Sequence, residues 1–226
     1  MEQFSVLQEL IIENNWEIFQ PLMERLQSWE HWPLFLRMLA DLQRDRLYES
    51  LVHGTGHIER TMLHGAFCAM EDGLDEADTA LLLDACSYHD VGRQNDWLDT
   101  EHGHRSAQVI GKLTERTGQE LVMLQAAVDA HSQNDKLLEQ VLQSYQPEDY
   151  PRTLRLATLL KDADGLDRVR IHDLKTSFLR RPASVERADF AMYLFARYET
   201  KVALREPFKH GAPQGMNMPE NRGETK

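Results

Sequence analysis

Residues 76–90 read EADTALLLDACSYHD, and this stretch decides the fold. From Glu76 to His89, apolar side chains (Ala77, Ala80, Leu81, Leu82, Leu83, Ala85, Cys86) fall on almost every side of a helix. A helix without a clear polar face belongs at the centre of a protein, with other helices packed around it. Outward from it the period stays helical. Leu7, Leu10 and Ile11 keep the i, i+3, i+4 spacing, and Ile18 is expected to continue their face before Pro21 interrupts the pattern. Pro33 suits the first turn of a helix carrying Leu34, Leu36, Met38, Leu39 and Leu42, leading into Leu47 and Leu51. His53-Gly54-Thr55-Gly56 breaks that run, and an amphipathic helix is predicted from near His57 through Met62, Leu63, Ala66 and Met70 to a C-cap at Gly73.

On the other side, Thr100 and Glu101 open a predicted helix through Ile110 and Leu113 to Gly118. Helices over 119–131 and 136–142 follow, and Pro147 to Pro151 marks a loop. Leu154, Leu156, Leu159, Leu160, Ala163 and Leu166 outline another core helix. Ser184 is expected to cap the last long one, through Phe190, Tyr193, Leu194 and Val202. No strand-turn-strand unit and no internal repeat is visible. The expectation is an all-α helical bundle in one domain over 1–206, with residues 1–45 packing on the core, and a polar, flexible tail over 207–226.

Of the 226 residues, 42% are hydrophobic and 27% charged, enough to bury a core and too ordered a mixture for a low-complexity chain. Lys and Arg total 25 against 37 Asp and Glu, a net charge of −12. So acidic a surface repels polyanions, which argues against broad duplex nucleic-acid binding but leaves room for a small phosphorylated ligand beside local cations. Trp16, Trp29, Trp32 and Phe35 lie together near the N-terminus and are expected in the core rather than on a base-stacking platform. The two cysteines, Cys68 and Cys86, sit in apolar helical stretches and read as buried hydrophobes, not a disulfide framework. No basic, apolar leader opens at Met1, and no apolar run approaches the roughly 20 residues that span a bilayer, so a soluble, cytoplasmic protein without a membrane association is expected. There is no GxxxxGK phosphate loop and no nucleophile–histidine–aspartate constellation.

Polar residues stand where a core should be. His89 and Asp90 end the most apolar helix, and Asp164 falls on the inward face of the helix through Leu160 and Ala163. A buried unpaired carboxylate costs several kcal/mol, on the order of the price of burying any unpaired charge, so two in one core call for a cation. His57, His102, His104 and His131 lie at or near helix ends. A single such histidine is ordinarily a cap; the set, carboxylate and imidazole without thiolate, suits Mn, Fe, Co, Ni, Zn or Mg rather than a structural zinc site. Arg93, close behind the His-Asp pair, and Lys161, three residues before Asp164, are the expected phosphate-binding cations, with Arg168 and Arg170 four and six residues beyond Asp164. His104 is a candidate acid for a leaving oxygen, and Asp96 a candidate substrate contact.

Five segments together resemble the HD superfamily of metal-dependent phosphohydrolases: His53-Gly54-Thr55-Gly56-His57-Ile58-Glu59-Arg60, Tyr88-His89-Asp90-Val91-Gly92-Arg93, His102-Gly103-His104-Arg105-Ser106-Ala107, Ala130-His131-Ser132, and Lys161-Asp162-Ala163-Asp164-Gly165-Leu166-Asp167-Arg168. The similarity spans roughly residues 45–205. It implies a helical bundle with one metal held by His57, His89, Asp90 and Asp164, and a second held by His102 and His131 with Asp90 as bridge. His53 competes with His57, His102 with His104, and Asp162 with Asp164; the glycines before His57 and the register of the other two segments favour His57, His102 and Asp164. The implied activity is hydrolysis of a nucleotide or another small phosphate ester by a metal-activated water. The alternatives are cleavage of cyclic or polyphosphorylated nucleotides, and a non-catalytic sensor of metal or nucleotide. A signature of the cyclic-dinucleotide branch is absent after Asp90. Pattern alone assigns no oligomeric state.

Overall fold

The computed structural model describes residues 4–205, and the expected tail over 207–226 lies outside them. Eleven α-helices and six short 3-10 turns make up the described part, with no strand among the described residues. The α-helices are α1 (Val6–Glu13), α2 (Gln20–Gln27), α3 (Trp32–Asp41), α4 (Thr55–Asp72), α5 (Glu76–Tyr88), α6 (His102–Val109), α7 (Gly118–His131), α8 (Leu138–Ser144), α9 (Tyr150–Leu166), α10 (Pro182–Glu186) and α11 (Ala188–Arg205). The all-α expectation is met.

Helices α4, α5, α7 and α9 form the centre, α6 packs along α7, and α1, α3 and α11 cover α4 from outside. The starts and stops follow local chemistry. Ser5 and Gln8 form a capping box at α1, while the carboxylates of Asp75 and Asp149 accept the backbone N–H of Asp78 and Arg152. Gly73 ends α4 in the left-handed region at φ 64°, a conformation open to glycine at little cost. Two close approaches between helices depend on glycine. A Cβ on Gly65 of α4 would lie 2.6 Å from Cys86 Sγ of α5, and one on Gly103 of α6 would lie 2.7 and 2.8 Å from the Asp129 and Val128 carbonyls of α7. Hydrogen in place of a methyl permits both close approaches, of α4 to α5 and of α6 to α7.

The core holds Trp16, Trp32 and Phe35, with Trp29 packed against it, and both cysteines are buried and free, as expected. Among the described residues no helix is long and apolar enough to cross a membrane.

Several sequence expectations are corrected. Ile18 does not continue the α1 face: α1 ends at Asn14 in a left-handed conformation, and Ile18 stands in a 3-10 turn, 82% exposed. Leu51 is 98% exposed because the backbone leaves the helix at Leu42. The helix from Glu101 stops at Val109 and tightens into a 3-10 turn before Gly118. Ser184 caps nothing at the last helix; Pro182, with its pre-set φ, starts the short α10 around it, and α11 begins at Ala188. Helix α4 is not amphipathic: residues His57 to Ala69 are buried throughout, Glu59, Arg60, Thr61 and His64 included. Wrapping of this helix on all sides is what turns its polar residues into a functional question.

Candidate metal centre

Five helix ends meet over one small volume. His57 lies in the first turn of α4, and His89 and Asp90 directly follow α5. His102 opens α6, His131 closes α7, and Asp164 is in the last turn of α9. His57 Nε2 stands 3.1 Å from His89 Nε2 and 3.4 Å from Asp164 Oδ1, and His89 Nε2 is 3.8 Å from that same oxygen. Asp90 divides its carboxylate. Its Oδ2 faces His57 Nε2 at 3.6 Å and His89 Nε2 at 3.9 Å, while its Oδ1 faces His102 Nε2 at 3.0 Å and His131 Nε2 at 3.6 Å. The last two nitrogens are 2.9 Å apart.

The other ring nitrogens determine what those Nε2 atoms carry. His89 Nδ1 donates to the Cys86 carbonyl at 3.0 Å, His131 Nδ1 to the Val128 carbonyl at 2.5 Å, and His102 Nδ1 to the Asp99 carbonyl. His57 Nδ1 donates to Asp167 Oδ2 at 2.8 Å. Carbonyl oxygens and carboxylates only accept, so each Nδ1 bears the hydrogen and, in a neutral ring, each Nε2 bears a lone pair. Burial, with the Arg170 charge, pushes His57 down to about 3, and burial pushes His131 down to about 4. Facing lone pairs at 2.9 and 3.1 Å cannot bond to each other. Asp90 Oδ1, buried and without a hydrogen-bond partner, is left in the same position. A cation could complete such a donor set: the groups His57/His89/Asp164, His89/Asp90/His131 and His53/His57/Asp90 could each hold a metal ion, their donor atoms lying within 4.8 Å of one another.

A layer behind the cluster holds it in place. Asp167, fully buried, takes His57 on Oδ2 and the Arg60 guanidinium on both oxygens, at 2.7 Å from Nε and 3.1 Å from Nη2. Burial alone would raise the Asp167 carboxyl, but Arg60 holds it well below the usual carboxylate range. Arg170 likewise keeps Asp164 ionised against its burial. His53 Nδ1 lies 3.1 Å from Asp90 Oδ2 and 3.1 Å from Arg170 Nη2. Asp167 and Arg60 were not singled out as site residues from sequence, whereas His53 entered as the rival of His57 and Arg170 as a cation beyond Asp164. The available signal for Arg60 was its place three residues after His57, close to one helical turn away.

The remaining candidates separate clearly. Arg93 reaches the cluster, donating from Nε to Asp90 Oδ2 at 3.0 Å, with its Nη atoms only at 3.5 Å from Trp97 O and His102 Nε2. His57, His102 and Asp164 stand in the cluster ahead of their rivals. His104 turns outward, with Nδ1 on Asp129 and Nε2 on the Gln108 amide, so the structure does not bring it to a leaving oxygen. Asp162 is consumed by the backbone N–H groups of Arg180 and Arg181. Lys161 is not a free cation: its Nζ donates to the carbonyls of Ala130, His131 and Gln133, capping α7 beside His131. Arg168 pairs with Asp173 away from the cluster, and Asp96 accepts from Ser50 Oγ at 2.6 Å on the surface.

The buried imidazoles make acid sensitivity an expected property. His64, deeper on α4, has neither ring nitrogen hydrogen-bonded, and burial lowers it to about 3. An unfolded histidine titrates near 6.5, so below that pH the unfolded chain binds protons on His57, His64 and His131 that the folded chain refuses. Stability is therefore full above pH 6.5 and falls toward pH 4, by up to about 1.4 kcal/mol per pH unit for each histidine. Urea midpoints of chelator-treated protein at pH 7.5 and 5.0 check this; equal midpoints would contradict it.

No protein-family model, curated protein or solved structure matches this chain.

Proposed function

We propose that this chain is an HD-type metal-dependent phosphohydrolase acting on a nucleotide or another small phosphate ester. One observation carries the reading: the two oxygens of Asp90 face two separate pairs of imidazole lone pairs, His57 with His89 and His102 with His131. In this reading His57, His89, Asp164 and Asp90 Oδ2 hold one divalent ion, and His102, His131 and Asp90 Oδ1 hold a second. The nitrogen and oxygen donors suit Mn, Fe, Co, Ni or Zn, with Mg a poorer match to so many imidazoles. Bound there, a divalent ion lowers the pKa of its water toward neutrality and draws charge from a phosphoryl oxygen. The chain's own residues do the rest. Asp167 fixes the ring of His57, Lys161 fixes the end of α7 that carries His131, and Arg93 donates from Nε to Asp90 Oδ2 while its Nη atoms, in long 3.5 Å contacts, are the donors that turn to phosphate oxygens. A cytoplasmic location accords with two buried, unpaired cysteines.

The test is metal content on protein purified without chelator, then phosphate release with Mn, Fe, Co, Ni or Mg added back. The substrates are mononucleotides, nucleoside triphosphates, cyclic nucleotides and a chromogenic phosphodiester. Metal near two per chain with metal-dependent release from one class is expected. Bound metal without turnover on any of them would replace the enzyme by a sensing module, and absence of bound metal would sink the reading.

A further inference from the structure

The 3-10 turn over Asp167–Ile171 brings a second guanidinium to the cluster. The Arg170 side chain is only 5% exposed, and two of its three nitrogens are engaged. Nε donates to the Val52 carbonyl at 2.9 Å, and Nη2 donates to His53 Nδ1 at 3.1 Å. Nη1 is buried and has no hydrogen-bond partner. The nearest carboxylate oxygens, Asp164 Oδ1 at 3.9 Å and Asp167 Oδ2 at 3.8 Å, are beyond hydrogen-bond reach. Asp167 is in any case committed to Arg60 and His57. Asp164, at 21%, is the most accessible of the clustered acids.

An orphaned guanidinium N–H in a dry site is costly, and an anionic oxygen is the acceptor that relieves it. The arrangement around Arg170 supplies the other half of a grip. His53 Nδ1 touches both Arg170 Nη2 and Asp90 Oδ2, and that oxygen accepts from Arg93 Nε at 3.0 Å. The two guanidiniums are thus linked through one imidazole and one carboxylate oxygen; Arg170 keeps Nη1 in reserve, and the Nη atoms of Arg93 make only long 3.5 Å contacts. Arg187 also has unpartnered nitrogens, but it pairs with Glu71 at the far end of α4.

We propose that Arg170 is a substrate-binding residue whose Nη1 donates to a non-bridging oxygen of the phosphoryl group beside Asp164, together with Arg93. This rests on the phosphohydrolase reading for the identity of the anion. Of the two arginines beyond Asp164 in the sequence, it assigns this role to Arg170 and not to Arg168.

The experiment uses the full chain loaded with Mn, and inorganic phosphate as the probe. Metal per chain is measured by elemental analysis, and phosphate affinity by calorimetry, for wild type, Arg170→Gln and Arg170→Lys. The expected result is unchanged metal content, phosphate binding weakened about 10- to 100-fold in Arg170→Gln, and partial recovery in Arg170→Lys. Should the glutamine variant not fold, the lysine variant decides: charge without the planar fork is expected to weaken phosphate several-fold. Phosphate affinity equal to wild type in the folded variants would overturn the assignment. So would parallel loss of metal and phosphate, which would make Arg170 a positioning residue for Asp164, and so would a wild-type protein that binds no phosphate. Wild type that binds phosphate but releases none from any ester defeats the phosphohydrolase reading alone, and the variants still judge Arg170.

Discussion

Replacing Asp90 by asparagine is expected to leave a folded protein that no longer retains metal. The substitution conserves shape while removing the one charge that both histidine pairs share, through Oδ2 toward His57 and His89 and through Oδ1 toward His102 and His131. A carboxamide presents one weakly basic oxygen and one NH₂ group, and that NH₂ can donate to an imidazole lone pair in the space a cation would share. The folded state without metal is thereby kept, and the ion is excluded. Outer partners of metal ligands already cost about 10- to 100-fold in affinity, so loss of the shared carboxylate should exceed about 100-fold and abolish metal-dependent phosphate release. Elemental analysis and circular dichroism on the same sample read both halves. Stoichiometric metal in Asp90→Asn would remove Asp90 from the centre.

Replacing Arg60 by methionine is expected to be the most damaging single change to stability away from the ligands. Arg60 is 2% exposed, bonds both oxygens of the fully buried Asp167, and lies over the rings of Phe195 and Tyr198 at 5.0 and 4.9 Å. Methionine fills much of the volume but leaves Asp167 with only His57 and a distant Arg170. Breaking a buried pair by removing one partner costs roughly 3–5 kcal/mol, because the survivor keeps its desolvation penalty without its counter-charge. For a chain of this size that corresponds to a Tm drop of about 6–20 °C. Because Asp167 also orients His57, metal affinity should fall about 10- to 100-fold in parallel. Adding Asp167→Asn to Arg60→Met should restore part of the stability, a coupling that a double-mutant cycle detects. A Tm within about 2 °C of wild type, well inside the range for a surface change, would show the pair to be solvated.

The helices and the clustered histidines and aspartates were legible in the sequence for the same reason: both depend on short-range spacing. The unbroken apolar run to Cys86 announces a buried helix, and His89 with Asp90 directly after it must then emerge at that helix's buried end. His57, His102, His131 and Asp164 likewise sit at helix ends, where a bundle converges. What lies behind the ligands was decided only by tertiary structure. Asp164 and Arg168 are four residues apart and would share a face had α9 continued as an α-helix. Instead the chain tightens to a 3-10 turn at Asp167, with three residues per turn, so Asp167 and Arg170 align and Arg168 swings out to Asp173. Lys161 has the right spacing for the cleft, yet the open carbonyls at the end of α7 lie nearer and take all its protons. Local spacing determines which residues reach the end of a helix. Which partner each one finds there depends on donors and acceptors brought in by distant segments, and sequence order does not carry that information.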